Sequence, residues 1–295
     1  MTEPNTPYAW GSRLATIWQQ MGMSFPINVS LIASEYTTRY PDPISKIKGH
    51  DVSGIEGMLI KRESKTDWVI LYDATVEVPG RLNFTLAHEL GHYFLHRHLF
   101  NEFKCGQDTL LDYESKNSRK REAEANKFAG YLLMPLDDFR KQIVGETVTL
   151  NLLSHCAKHY GTSLTATTLK WLEFTEEAAM LVVGRDDFIC WSYPSPAARK
   201  LGAYLSPGSP VPDSAIERLN CGRLIDGINT NIRVAPGVWH SSQEAEESIL
   251  LSDRYELAIF LVRFPLANFS NYDEEDVMDS FQFLSERSQG LNWKK

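Results

Sequence analysis

The chain has 295 residues, 43% of them hydrophobic and 23% charged, an ordinary balance for one large or two modest globular domains that excludes disorder over most of its length. Its longest apolar run, Leu257 to Val262, falls far short of the roughly 20 residues that cross a bilayer, and Met1 to Pro7 lacks the basic and apolar regions of a secretory signal, so a cytoplasmic protein without a membrane span is expected. Residues 1–175 carry 19 Lys and Arg against 20 Asp and Glu, and residues 176–295 carry 11 against 18; neither part has the basic surplus of a general nucleic-acid binder.

In chain order, Ala9 to Met21 reads as a helix, with Leu14, Ile17 and Trp18 at helical spacing, followed by Pro-punctuated connections. Gly57 to Lys61 and Trp68 to Tyr72 are short and rich in β-branched or aromatic residues, which predicts neighbouring strands. After Pro79 and Gly80 the pattern changes to a mostly apolar helix over Asn83 to His96. A polar stretch separates it from a second helix, Arg119 to Met134, stopped by Pro135. Residues 147–174 predict two further helices joined near Gly161. From about residue 176 the texture is strand-like and rich in turns, which places a domain boundary near Thr175. Cys105, Cys156, Cys190 and Cys221 lie dozens of residues apart with no C-x-x-C pair, and read as reduced core thiols rather than a disulfide framework or a cysteine zinc site.

The chemistry is concentrated in His88-Glu89-Leu90-Gly91-His92. Two histidines four apart on a helix stand about 40° apart around the axis and about 6 Å apart along it, so both rings reach one ion from one face. Glu89, beside the first, is placed to take a proton from a water that the ion has acidified from a pKa of about 15.7 toward 7. Chance would give such an H-E-x-x-H in a chain of this composition roughly 0.02 times, so coincidence is a poor explanation. A catalytic zinc needs a third protein ligand and an open position. On the second helix Ala125, Phe128, Ala129, Leu132 and Leu133 mark one buried stripe; Glu122 lies about 50° from its centre and Glu124 about 110°. An inward carboxylate is costly unless paired or metal-bound, so Glu122 is the expected ligand and Glu124 the solvent-facing residue. Asn126, four residues beyond Glu122, either steadies a ligand or is an ordinary amide on the helix flank. His96 lies about 12 Å of axial rise beyond His88 and cannot share its ion, which leaves it a hydrogen-bonded structural role. His155 and His159 repeat the spacing without an acidic neighbour between them and read as a polar helix face. Tyr93, Tyr113 and Tyr131 are equal candidates to stabilise an oxyanion.

The segments Arg81 to His96 and Arg121 to Pro135 together resemble the ImmA/IrrE family of zinc metallopeptidases. The resemblance implies a zincin-like peptidase domain of the glutamate type, with His88, His92 and Glu122 holding Zn2+ and Glu89 as catalytic base. Leu150 to Leu172 is similar to the helix-turn-helix-like extension of that family but lacks an arginine-rich recognition face, so direct DNA binding is the weaker reading. Family members cut helix-turn-helix repressors and thereby switch on stress, mobile-element or phage genes, which makes such a repressor the expected protein substrate. The C-terminal segment loosely resembles the GAF-like sensor extension of the IrrE branch.

The expected architecture is therefore α+β: a zincin-like domain with helical extension over residues 1–175, the extension at about 147–174, then an acidic, strand-rich domain over 176–295. The expected reaction is zinc-assisted peptide hydrolysis, with Trp68 to Tyr72 as an edge strand available to an extended substrate. The rival reading is a regulatory binding module with a latent or structural zinc site; the presence of Glu89 argues against it, since a structural site needs no base.

Overall fold

The structure, a computed structural model, describes residues 3–50, 55–63, 65–76, 78–106, 116–220, 228–252 and 257–265. They divide into two compact units, one built from residues 3–142 and 157–163 and the other from 143–156 and 164–265. Among the described residues no helix is long and apolar enough to cross a membrane.

The first unit opens with α1 (Pro7–Gln20), whose Thr6 Oγ1 accepts from the Ala9 N–H and caps the helix. Its buried face is Trp10, Gly11, Leu14, Ala15 and Trp18; Leu14 and Trp18 were anticipated from the spacing, whereas Ile17 is half-buried. α2 (Val29–Tyr36) and β1 (Ile44–His50) then form where the sequence suggested only connections. β2 (Ile55–Lys61) and β3 (Trp68–Asp73) are the expected strand pair, antiparallel, with Leu59 opposite Ile70. α3 (Pro79–His96) follows, then β4 (Glu102–Gly106), α4 (Lys116–Leu133) and α5 (Leu136–Ile143), the last two separated at Pro135.

The four strands are ordered β1-β3-β2-β4, with β1 parallel to β3 and the other pairs antiparallel. The expectation that Trp68 to Tyr72 is an edge strand is therefore wrong: β3 lies between β1 and β2. Its composition gives the physical reason. Trp68, Val69 and Ile70 are consecutive buried apolar residues, the mark of a strand covered on both faces, whereas the edges β1 and β4 carry exposed Lys46 and Lys104. β1 escapes a pattern search because it follows Pro41 and Pro43 closely and carries Lys46, Lys48 and Gly49 among its seven residues.

Chain passage through α6 (Leu150–Tyr160) and α7 (Leu164–Phe174) pivots at Gly161, whose φ of +62° suits glycine. The second unit then builds one antiparallel sheet, β6-β5-β9-β8-β7, from β5 (Ala179–Arg185), β6 (Phe188–Pro194), β7 (Ile228–Val234), β8 (Ala245–Ser252) and β9 (Leu257–Arg263). Short helices α8 (Pro196–Lys200) and α9 (Asp213–Asn220) precede β7. Leu257 to Val262 is the buried strand that the sequence suggested, and Phe260 and Val262 join Met180, Val182, Ile249 and Trp239 in this unit's core. The α+β class and the strand-rich second half thus hold.

Candidate metal centre

α3 enters the first unit with Pro79 in its first turn and is buried without interruption from Thr85 to Phe94. Burial of that length on an 18-residue helix places every face of its second half against protein, so polar residues there must find partners. His88, Glu89, His92 and His96 are the polar side chains concerned, together with Thr85. Gly91 brings α4 close: a Cβ on it would stand 3.0 Å from the Phe128 ring and 3.2 Å from the Ala125 backbone. This approach delivers the carboxylate of Glu122 to the two histidines.

The Nε2 atoms of His88 and His92 lie 3.0 Å apart, and the Glu122 oxygens lie 3.2 Å from His88 Nε2 and 3.3 Å from His92 Nε2. A tetrahedral ion with ligands at about 2.0–2.2 Å separates neighbouring ligand atoms by about 3.3–3.6 Å. The three edges measured here fall within a few tenths of an ångström of that, and imidazole with carboxylate is a donor set suited to a borderline metal such as zinc. Among the described residues this trio is the group of His, Cys, Asp and Glu side chains whose ligand atoms converge in this way. The helix-phase argument that chose Glu122 over Glu124 agrees with this placement.

The neighbours of the trio complete its geometry. Asn126 Oδ1 is 2.8 Å from His88 Nδ1, so the reading in which this amide steadies a ligand is the one the geometry supports. His96 is buried and hydrogen-bonded, as expected for a structural histidine: its Nδ1 is 3.1 Å from His92 Nδ1 and its Nε2 is 3.0 Å from Glu124 Oε2. Glu124, expected to face solvent, is instead only partly exposed and turned toward His96. Glu89 is wholly buried beside β2, where Gly57 makes room for it; a Cβ on Gly57 would stand 2.5 Å from Glu89 Oε1 and 2.6 Å from Thr85 Cγ2. The Phe103 ring of β4 stacks on His92 at 4.8 Å between centroids. Gly57 and Phe103 were not singled out from sequence. Phe103 sits in a polar stretch with no strand signal, and the need for glycine at 57 exists only once β2 lies against α3.

Charge is arranged to match. Burial opposes protonation of His88, yet the hydrogen bond and charge of Glu122 outweigh it and hold the ring's pKa up at about 9. Burial pushes His92 down to about 4 against the pull of Glu122, helped by repulsion from His88 and His96. Burial would raise the Glu122 carboxyl, but the His88 and His92 rings beside it carry it well below the usual carboxylate range. At neutral pH this leaves Glu122 ionised and His92 neutral, the forms a metal requires, while Glu122 holds a proton on His88 that an incoming metal must displace.

The remaining candidates separate cleanly. Tyr93 is fully buried with its hydroxyl donating to the Asp42 carbonyl oxygen at 3.0 Å, which commits it to the scaffold. Tyr131 makes an edge-on contact with Tyr8, and Tyr113 lies outside the described residues. His155 is exposed, while His159 Nε2 sits 3.2 Å from Asp138 Oδ1, so neither histidine shows a metal-ligand arrangement. Cys156 is buried and Cys190 half-buried, neither of them in a disulfide; the side chains of Cys105 and Cys221 lie outside the described residues.

A buried helix presenting two histidines four apart, with a glutamate between them and a second glutamate supplied by the next long helix, brings together a group of side chains that could hold a metal ion. Residues 50–171 match the family model for the IrrE N-terminal-like domain of the M78 peptidases. Among solved structures the fold is similar to that of a Mycobacterium tuberculosis transcriptional regulator, with 13% sequence identity, a TM-score of 0.52, and coverage of 86% of this chain and 76% of that one. No curated protein matches the sequence.

Proposed function

We propose that the chain is a zinc-dependent regulatory endopeptidase that cleaves a protein partner, a helix-turn-helix repressor, and so switches on stress, mobile-element or phage-related genes from within the cytoplasm. The observation that carries the catalytic reading is the convergence of His88, His92 and Glu122 with the carboxylate of Glu89 one residue from the first ligand. His88 Nε2, His92 Nε2 and Glu122 would hold the zinc, which supplies Lewis acidity toward water and the scissile carbonyl. Glu89 accepts the proton of the attacking water and passes it to the leaving amine. Packing of β2 around Glu89 keeps its carboxylate from swinging away, and Asn126 fixes the ring plane of His88. β4, an edge of the sheet among the described residues, replaces Trp68 to Tyr72 as the candidate strand for an extended substrate, because its Phe103 stands against His92.

The repressor substrate rests on family resemblance, and the regulator named among the similar structures is consistent with a place in transcription control. Direct reading of DNA is disfavoured by α7. Thr167, Thr168, Leu169, Lys170, Trp171 and Leu172 are all at most 1% exposed, and a recognition helix must offer side chains to the major groove. The C-terminal segment 176–295 is proposed as a separate domain that conveys a signal to the peptidase.

Glu89→Gln tests the reaction. The amide keeps the shape but cannot take the proton, so zinc content should be unchanged while cleavage of a co-expressed repressor falls by roughly 10²- to 10⁴-fold. Wild type and variant are compared in cells under inducing stress by following the partner's size. Equal regulation by both, with no fragment of the partner, would establish the non-proteolytic binding module instead.

A further inference from the structure

Three side chains connect the surface of α4 to the proposed metal in single file. Glu124 Oε2 is 3.0 Å from His96 Nε2, His96 Nδ1 is 3.1 Å from His92 Nδ1, and His92 Nε2 faces Glu122 Oε1 at 3.3 Å. The proton positions follow from the outer end. An ionised carboxylate only accepts, so the hydrogen of the first link is on His96 Nε2. A neutral His96 then has a lone pair, and no hydrogen, at Nδ1. The second link therefore takes its hydrogen from His92 Nδ1, which leaves His92 Nε2 with a free lone pair aimed at the point shared with His88 and Glu122. That is the tautomer a metal ligand needs.

We propose that His96 and Glu124 are positioning residues of the metal site: through two consecutive hydrogen bonds they fix the tautomer and ring plane of His92 and so set how tightly zinc is held. This inference rests on the zinc site proposed above and extends it to residues that touch neither metal nor substrate. Burial makes the chain effective. His92 is wholly buried and His96 is 3% exposed, so no water competes for the link between them, and Phe103 packs against both rings. Lys120 Nζ lies 3.9 Å from Glu124 Oε1 at the outer end. The two metal-facing histidines are thus steadied from one helix by different means, His88 by the amide of Asn126 and His92 by Glu124 acting through His96.

The test is zinc affinity, measured on the full chain by competition with a chromophoric chelator. His96→Leu removes the acceptor and should weaken zinc binding roughly 10- to 100-fold. His96→Asn, which returns an amide oxygen near the position of Nδ1, should recover most of that loss. Glu124→Ala should weaken binding less, and should cost nothing further when added to His96→Leu, because it acts only through that ring. A spectroscopic readout is independent of affinity: in the zinc-loaded protein, ¹⁵N-labelled His92 should carry its proton on Nδ1 and His96 on Nε2. Wild-type affinity in both His96→Leu and Glu124→Ala, or the opposite proton placement, would overturn the proposal. Should His96→Leu fail to fold, Glu124→Ala on its partly exposed side chain decides the matter alone. Zinc bound by wild type and lost in His92→Ala, with His96→Leu unaffected, defeats only this inference; no zinc in wild type defeats the site itself.

Discussion

Each unit sets a glutamate against two or more nitrogen groups, and the two behave as opposites. Glu247 on β8 is wholly buried; it accepts from Arg218 Nε at 2.7 Å, from Arg218 Nη2 at 2.9 Å and from Trp239 Nε1 at 2.5 Å. Both of its oxygens are engaged, and the result is a closed clamp holding α9 and the Trp239 segment to the sheet. Glu122 on α4 also contacts two partners, but those are ring nitrogens 3.0 Å from each other, aimed at a common point and each backed by a further hydrogen bond. A paired carboxylate is thus a functional signal only when its partners converge; pairing alone marks both sites.

The comparison can be broken most sharply from the closed side. Glu247→Ala strands the Arg218 guanidinium and the Trp239 N–H, and should cost about 3–5 kcal/mol in chemical denaturation while leaving the zinc content of folded protein unchanged. A cost below about 1 kcal/mol would mean that the clamp is dispensable, and altered zinc content would mean that the two glutamates are not independent. The open side should respond to metal rather than to truncation of a partner. Zinc at about 100 times its dissociation constant should raise stability by about 2.7 kcal/mol, and the gain should vanish in Glu122→Ala. Stabilisation that survives in that variant would place the metal elsewhere.

The smallest effect sharpens the distinction between holding metal and using it. Gly57→Ala drives a methyl into the space of the Glu89 carboxylate without approaching a proposed ligand. Zinc affinity should stay within a few-fold of wild type while hydrolysis drops by roughly 10- to 100-fold, since a misplacement of about 1 Å is enough to cost that much. Steady-state cleavage and chelator competition, run on the same preparation, check the two halves; equal loss in both would make Gly57 a matter of folding.

Much of the proposed centre was legible in the chain itself. The i, i+4 spacing of His88 and His92 and the phase of Glu122 on an apolar stripe follow from helix periodicity, which depends only on residues near one another in sequence. The same logic read Leu257 to Val262 as a buried strand, because six consecutive apolar residues bounded by charges need cover on both faces. Pairing order is another kind of information. That Trp68 to Tyr72 is central was decided by β1, a segment whose lysines and flanking prolines conceal it locally but which supplies the parallel neighbour β3 requires. Likewise Glu124 could be assigned to solvent from its angle on α4 alone, and only the approach of α3 at Gly91 turned it toward His96. Sequence therefore determined which side chains were chemically equipped and which way each faced on its own element. Tertiary structure decided which faces meet, because strand order and helix approach arise from packing between segments distant in the chain, where local periodicity carries no signal.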